Sequence, residues 1–281
     1  MFLVNYRSWE LGPGRSVNYS GNSKKSLCIS VNDSLRKLQS TYIDLLYVHL
    51  WDWTTSIEEI MDALHILVEQ GKVLYLGISN TPAWVVSAAN TYARAHGKTP
   101  FSVYQGNWNM IRRDFEHDII PMARHFGMAL CPWGIFASGK LQSKKQIEDR
   151  KQAGETLRPM YTTEQNEIER NASDALEKVA SEHGIDSVQQ IAIAYVMRKA
   201  RNVFPLIGGR TVEQLNDNIK ALSIRLTDEQ LKYLDSIKPL EVVFPINIIG
   251  DDPRETGMSS MGHATFAQMA WQRFPKPTGY E

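Results

Sequence analysis

Short runs of β-forming apolar residues, alternating with amphipathic helical stretches, constrain this chain more than any other feature. Tyr42 to Val48, Val73 to Ser79, Phe101 to Gln105, Met128 to Cys131 and Val203 to Ile207 have strand length and a composition suited to burial on both faces, as in parallel sheets. Helical periodicity fills the intervals. Lys24 to Gln39 sets Leu27, Val31, Leu35 and Leu38 on one face, and the Ser56/Glu59 capping box opens a helix that stops at Gly71. Pro82 to His96, Asp114 to Phe126, Glu164 to His183, Ser187 to Lys199, Val212 to Leu222 and Asp228 to Ile237 continue the pattern. The alternation predicts an α/β fold with a parallel sheet, either doubly wound or a β/α barrel. Five strands, or six with Phe2 to Asn5, leave an open sheet and an incomplete eight-stranded barrel as alternatives.

The remaining segments set the organisation. From Trp133 to about Thr163 the chain is polar and too long for a simple βα connection, which predicts a functional excursion loop. A loop-rich tail follows from about residue 239, and no linker divides the chain, so residues 1–281 read as a single domain. Thirty-one basic and 31 acidic side chains cancel, leaving no field to draw the protein to nucleic acid or anionic lipid. Cys28 and Cys131 lie far apart, the first residues make no signal-peptide core, and no later run approaches a membrane span. These features predict a cytoplasmic protein with no disulfide and no membrane partner; the oligomeric state is left open.

The chain contains no G-x-G-x-x-G, no G-x-x-x-x-G-K-[ST], no H-E-x-x-H, no C-x-x-C and no G-x-S-x-G. Neither a Rossmann site, a P-loop, a zinc site nor a nucleophile elbow is indicated, and no metal is expected. What stands out is polarity at the carboxyl ends of the expected strands, where β/α folds concentrate their chemistry. His49 follows the first of these strands, Ser79-Asn80 close the next, Gln105 ends the third, and Gly208-Gly209-Arg210 end the last. Each taken singly is as readily a strand leaving for solvent. Four in phase favour a site. Trp51, next to His49, and Trp108, beyond Gln105, are expected to wall its substrate side.

In order, Ile43 to His49, Gln70 to Asn80, Tyr104-Gln105, and Pro205 to Arg210 with Glu213-Gln214 and Asn218 resemble the aldo-keto reductase family. Ser34 to Gln39 and Ile119 to Ala129 resemble its fungal aryl-alcohol dehydrogenase branch. The resemblance covers roughly residues 5 to 255 and implies a (β/α)8 TIM-type barrel, here read as N-terminally truncated with five to six of eight strands. It implies NADP(H) as cofactor and interconversion of small-molecule carbonyls and alcohols by hydride transfer. Carried over, His49 matches the active-site histidine, and Ser79, Asn80 and Gln105 match residues that hold the nicotinamide carboxamide. Pro132, Trp133, Gly139 and Lys140 match the segment around the pyrophosphate, with Leu130 where an aromatic usually stacks on the nicotinamide. Gly209, Arg210, Gln214, Asp217 and Asn218 match the adenosine end, Arg210 facing the 2′-phosphate. The family's catalytic aspartate, tyrosine and lysine have no match; Tyr6 and Tyr19 sit in no corresponding motif. A catalytically inactive cofactor-binding or interaction protein, or an incomplete gene product, is therefore the alternative reading.

Overall fold

A computed structural model describes residues 2–4 (backbone), 21–152, 164–250 and 252. Five strands form one sheet: β1 (Phe2–Val4), β2 (Ile43–His49), β3 (Val73–Ser79), β4 (Val103–Asn107) and β5 (Ala129–Trp133). All neighbours are parallel and follow chain order, β1-β2-β3-β4-β5, with no reversal. A doubly wound sheet reverses at a switch point; an arc of a β/α barrel does not, so the barrel alternative stands. Beyond β5 the chain returns as a rudimentary sixth strand: Val203 bridges Leu130, and the Phe204 and Leu206 amides donate to the Leu130 and Pro132 carbonyls at 2.8 Å. Pro132 of β5 has no N–H to give the Phe204 carbonyl, so the ladder that opens at Leu130 and Val203 does not continue and the expected Val203 to Ile207 strand shrinks to a bridge.

Helices α1 (Lys24–Leu38), α2 (Ile57–Glu69), α3 (Ala83–Ala95) and α4 (Ile119–Phe126) alternate with the strands. The expected helix over Asp114 to Phe126 divides into a 3-10 turn (Asp114–Glu116) and α4. Pro121 explains the division. Having no N–H, it fits only in a first turn, so the helix starts at Ile119. The polar stretch after Trp133 is not wholly a loop: it holds a 3-10 turn (Ala137–Gly139) and helix α5 (Lys144–Gln152), while residues 153–163 lie outside the described part. Helices α6 (Glu167–Glu182), α7 (Val188–Lys199), α8 (Val212–Lys220) and α9 (Asp228–Ile237) follow, α6 opened by the Asn166/Glu169 capping box. The chain separates into two compact units, residues 1–237 and 238–281; the described part of the second contains helix α10 (Ile246–Ile249) after a cis Phe244–Pro245 bond.

The core lies between the sheet and its helices. Leu46, Val48, Leu76 and Ile78 are all but fully buried, with Leu27 and Val31 of α1, Leu64 of α2 and Val86 of α3 in the same cluster. Alternate residues of β2 to β4 face the other side, where the Tyr47 ring covers Gly77: a Cβ there would lie 2.7 Å from two ring carbons. A glycine is required at this rung because the aromatic ring lies against the neighbouring strand's backbone.

One ionic cluster ties the turn after β4 to the outer helices. Arg113 grips Glu116 bidentately, Nε to Oε1 at 2.8 Å and Nη2 to Oε2 at 2.7 Å. Lys199 of α7 bridges Glu116 (3.1 Å) and Asp235 of α9 (2.9 Å), and Asp235 also accepts from the Tyr195 hydroxyl at 2.6 Å. The indole N–H of Trp108 donates to Glu116 at 3.2 Å. Burial pushes the Glu116 carboxyl up, but its hydrogen bond to Arg113 and the charges of Lys199 and Arg113 outweigh it, and the net shift is downward. A carboxyl with a lowered native pKa contributes stability above its unfolded value, and that stability is lost as pH falls through the native value. Glu116→Gln leaves buried Arg113 and partly buried Lys199 to share Asp235. We predict a loss of about 3 kcal/mol in urea unfolding at neutral pH, shrinking towards acid as the native protein loses the same charge; an unchanged midpoint would contradict it.

Candidate functional site at the strand ends

Register alone assembles the site. His49 pairs with Ser79, Ser79 with Gln105, and Gln105 with Cys131, one rung running across β2, β3, β4 and β5 at their carboxyl ends. In-register residues of parallel strands share a face, so four of these side chains project together. Asn107 lies two residues beyond Gln105 on the same face of β4, opposite Trp133. Ser79 is 1% exposed and Gln105 7% exposed. The Ser79 hydroxyl, the Gln105 Oε1 and the Asn107 Oδ1 are buried and have no hydrogen-bond partner among the described residues. Leaving such atoms unpaired costs about 1–3 kcal/mol each, so a cluster of three marks a surface prepared for a polar ligand.

His49 is half-buried, and the Asn80 Nδ2 lies 3.1 Å from its Nε2. An amide N–H can only donate, so Nε2 accepts and the neutral ring carries its proton on Nδ1. Asn80 reaches this position from a left-handed backbone at φ +51°, with its own N–H donated to the Gln105 carbonyl at 3.1 Å. Asparagine is among the few residues that adopt this conformation readily. Of the expected carboxamide ligands, Ser79 and Gln105 are thus open to a ligand, while Asn80 attends to the histidine.

The loop after His49 is pinned by a residue that the sequence reading passed over. Asp52 accepts from the Thr54 and Thr55 amides at 2.9 and 3.0 Å and from the Asn22 amide, while the Asp52 N–H donates to Asn22 Oδ1 at 2.9 Å. Burial opposes ionisation of Asp52, yet these hydrogen bonds prevail and lower its pKa. An Asp two or three residues before paired threonines is the signal of such a turn. Trp51 is partly buried and packs on the core, whereas Trp53 and Trp84 stand 66% and 61% exposed with ring centroids 6.1 Å apart. Trp108 does not wall the cleft. It is fully buried, stacked on Phe115 at 5.7 Å and bonded to Glu116, because it shares Phe115 with Tyr104 on the face of β4 that alternates with Gln105 and Asn107.

The nucleotide arm is partly committed to structure. Pro132 is buried and Trp133 half-buried, its carbonyl accepting from the Trp108 amide. Lys140, just after Gly139, meets Glu169 of α6 at 3.1 Å instead of standing open to a pyrophosphate. Asp217 accepts from Ser187 and from Gln190 at the start of α7, fastening α8 to α7. Neighbouring Asn218 is half-buried on α8. Gly209 and Arg210 are exposed at the entrance to α8; the Arg210 N–H donates to Gln214 Oε1 at 2.7 Å, and the Gln214 N–H to Thr211 Oγ1 at 3.2 Å. Gln214 therefore shapes the turn that presents Arg210. Tyr6 and Tyr19 lie outside the described residues.

Burial disfavours the imidazolium and lowers the His49 pKa below that of an ordinary histidine. A lowered native value stabilises the fold above the unfolded pKa of about 6.5 and gives up that stability as pH falls through the native value. Ring-nitrogen NMR is predicted to show His49 neutral, protonated on Nδ1, and titrating below the ordinary histidine value of about 6.5. A His49 midpoint at or above that value would contradict this.

Comparison with known proteins agrees with this geometry. The profile of the aldo/keto reductase family matches residues 12–239. The chain is 61% identical over 271 residues to the probable aryl-alcohol dehydrogenase AAD4 of Saccharomyces cerevisiae, covering 96% of this chain and 82% of that protein. It is 56% identical over 279 residues to the aldo-keto reductase ausK of Aspergillus calidoustus, covering 99% and 70%. To the aryl-alcohol dehydrogenase (NADP+) of Phanerodontia chrysosporium it is 52% identical over 240 residues, covering 84% and 62%. With the parallel, unreversed sheet and the polar rung at its carboxyl end, these matches establish that the chain belongs to the aldo/keto reductase family, whose fold is the (β/α)8 barrel.

Proposed function

We propose that this chain is an NADP(H)-dependent oxidoreductase interconverting aryl aldehydes or ketones with their alcohols. The observation that carries the reading is the rung His49, Ser79, Gln105, Cys131, with its buried, unpartnered Ser79 hydroxyl and Gln105 amide oxygen. A primary carboxamide needs such a donor and such an acceptor, so the residues fit a nicotinamide. When bound, the dinucleotide supplies the hydride. The protein's share is to orient the ring, exclude water and serve the carbonyl oxygen.

Ser79 and Gln105 fix the carboxamide and thereby which ring face meets the substrate. His49, neutral at physiological pH, offers an N–H to the carbonyl oxygen and stabilises the negative charge that develops there. Asn80 decides which nitrogen does so: while it occupies Nε2 the proton sits on Nδ1. Arg210 is assigned to the 2′-phosphate, which a guanidinium can bond bidentately. Trp51 and the exposed Trp53 and Trp84 supply aromatic surface near the mouth, suited to flat substrates. The free thiols of Cys28 and Cys131 fit a reducing cytosol, and no described helix is long and apolar enough to cross a membrane.

A second reading, cofactor binding without turnover, is favoured by one observation. Burial raises the pKa of Tyr47 beyond the ordinary phenol range, and that of Tyr104 to about 12, so neither is prepared to give up a proton. Tyr104 is also engaged with Thr81, donating to its carbonyl at 2.6 Å.

The readings separate in one assay. Purified protein with NADPH and an aryl aldehyde is expected to consume NADPH, and His49→Gln to lower kcat/KM about 10²-fold without loss of NADPH binding. Binding without consumption would favour the second reading. A further expectation concerns nucleotide choice: NADP(H) binds more tightly than NAD(H), and Arg210→Ala weakens NADP(H) alone by roughly tenfold. Equal weakening of both would remove Arg210 from the phosphate.

A further inference from the structure

Three buried polar atoms at the strand ends lack partners among the described residues, and the reading above employs only two. The third is Oδ1 of Asn107. It shares the Gln105 face of β4 one rung nearer the mouth, opposite Trp133 of β5. Gly134 packs on it: a Cβ on Gly134 would stand 2.6 Å from Asn107 Oδ1. Gly134 has φ +75°, a conformation natural to glycine, and its carbonyl accepts from Asn109 Nδ2 at 2.8 Å. The Asn107 amide is therefore bounded on one side by a loop that is itself fixed.

The three atoms differ in what they ask for. A serine hydroxyl can donate; the amide oxygens of Gln105 and Asn107 can only accept. Together they call for a group with one acceptor and two donors. A primary carboxamide is that group, with one carbonyl oxygen and two N–H bonds on a single nitrogen. Residues i and i+2 of a strand are separated by about 6.6–6.8 Å along the backbone, a span that one nitrogen can bridge with two hydrogen bonds of about 2.9 Å from convergent side chains. We propose that Asn107 is a third carboxamide-holding residue: Ser79 donates to the carboxamide oxygen, Gln105 accepts one N–H and Asn107 accepts the other. The proposal rests on the dinucleotide reading of the site. It deepens that reading by making selection against pyridine rings without a primary amide a property of β4.

The test compares NADP+ with its 3-acetylpyridine analogue, whose methyl ketone keeps the oxygen and has no N–H. Binding to the purified chain is followed by quenching of tryptophan fluorescence. Asn107→Leu is expected to weaken NADP+ about tenfold and to leave the analogue's affinity unchanged. Equal weakening of both ligands, or of neither, overturns the proposal while leaving the dinucleotide reading intact. Failure of the unmodified chain to bind either ligand overturns both. A second measurement needs no variant: NADP+ labelled with 15N at the carboxamide, bound to the unmodified protein, is expected to show both N–H protons displaced downfield and protected from solvent exchange. One protected proton and one exchanging as in free NADP+ would remove Asn107 from the carboxamide.

Discussion

The parallel register of β2 to β5 is the constraint on which the rest depends. Each strand is packed against helices on one side and carries the candidate site's side chains on the other, so slipping any one of them by a residue would turn its apolar set away from the core. That penalty holds His49, Ser79, Gln105 and Cys131 on a single rung. The candidate site needs no dedicated scaffold beyond this. It sits where strands leave the sheet, and the loops have only to keep its mouth in shape: Asp52 clasps the turn after β2, Asn80 takes a left-handed conformation after β3, and Gly134, after β5, leaves room for Asn107 at the end of β4.

Asn22 Nδ2 and Ser26 Oγ are also buried without a partner among the described residues, but the charged groups of the outer helices are satisfied within the fold, in contrast with the rung. Glu116 collects bonds from Arg113, Lys199 and Trp108; Lys140 meets Glu169; Asp217 fastens α8 to α7. These groups anchor the outer helices to one another. Ser79, Gln105 and Asn107 show the opposite condition, buried with atoms left over among the described residues. Unsatisfied polar atoms are expensive, and their concentration in one place at the strand ends is the physical signature of a recognition surface.

Much of this was legible in the residues. The strand runs and the capping box at Ser56 led to elements close to those observed, and strand-end polarity singled out His49, Ser79, Asn80 and Gln105. What failed had local causes. A helix pattern from Asp114 ignored where Pro121 can sit, and a strand at Val203 ignored the missing N–H of Pro132 on its partner β5. Trp108 looked like a cleft wall because aromatic residues near a site suggest one, but its burial is decided by Phe115 and Glu116, which sequence spacing does not bring together visibly. That Lys140 and Asp217, matched to the nucleotide by the resemblance, also bond Glu169, Ser187 and Gln190 could not be seen from their spacing. Asn107 escaped notice although its spacing from Gln105 is that of one strand face.

The central claim is that the carboxyl-end rung receives the nicotinamide, and a crystal structure of the chain with bound NADP+ tests it most directly. The account predicts the carboxamide within hydrogen-bonding distance of Ser79 and Gln105, with the nicotinamide ring beside His49. A dinucleotide bound elsewhere on the sheet, or a ring turned so that its carboxamide faces solvent, would contradict it.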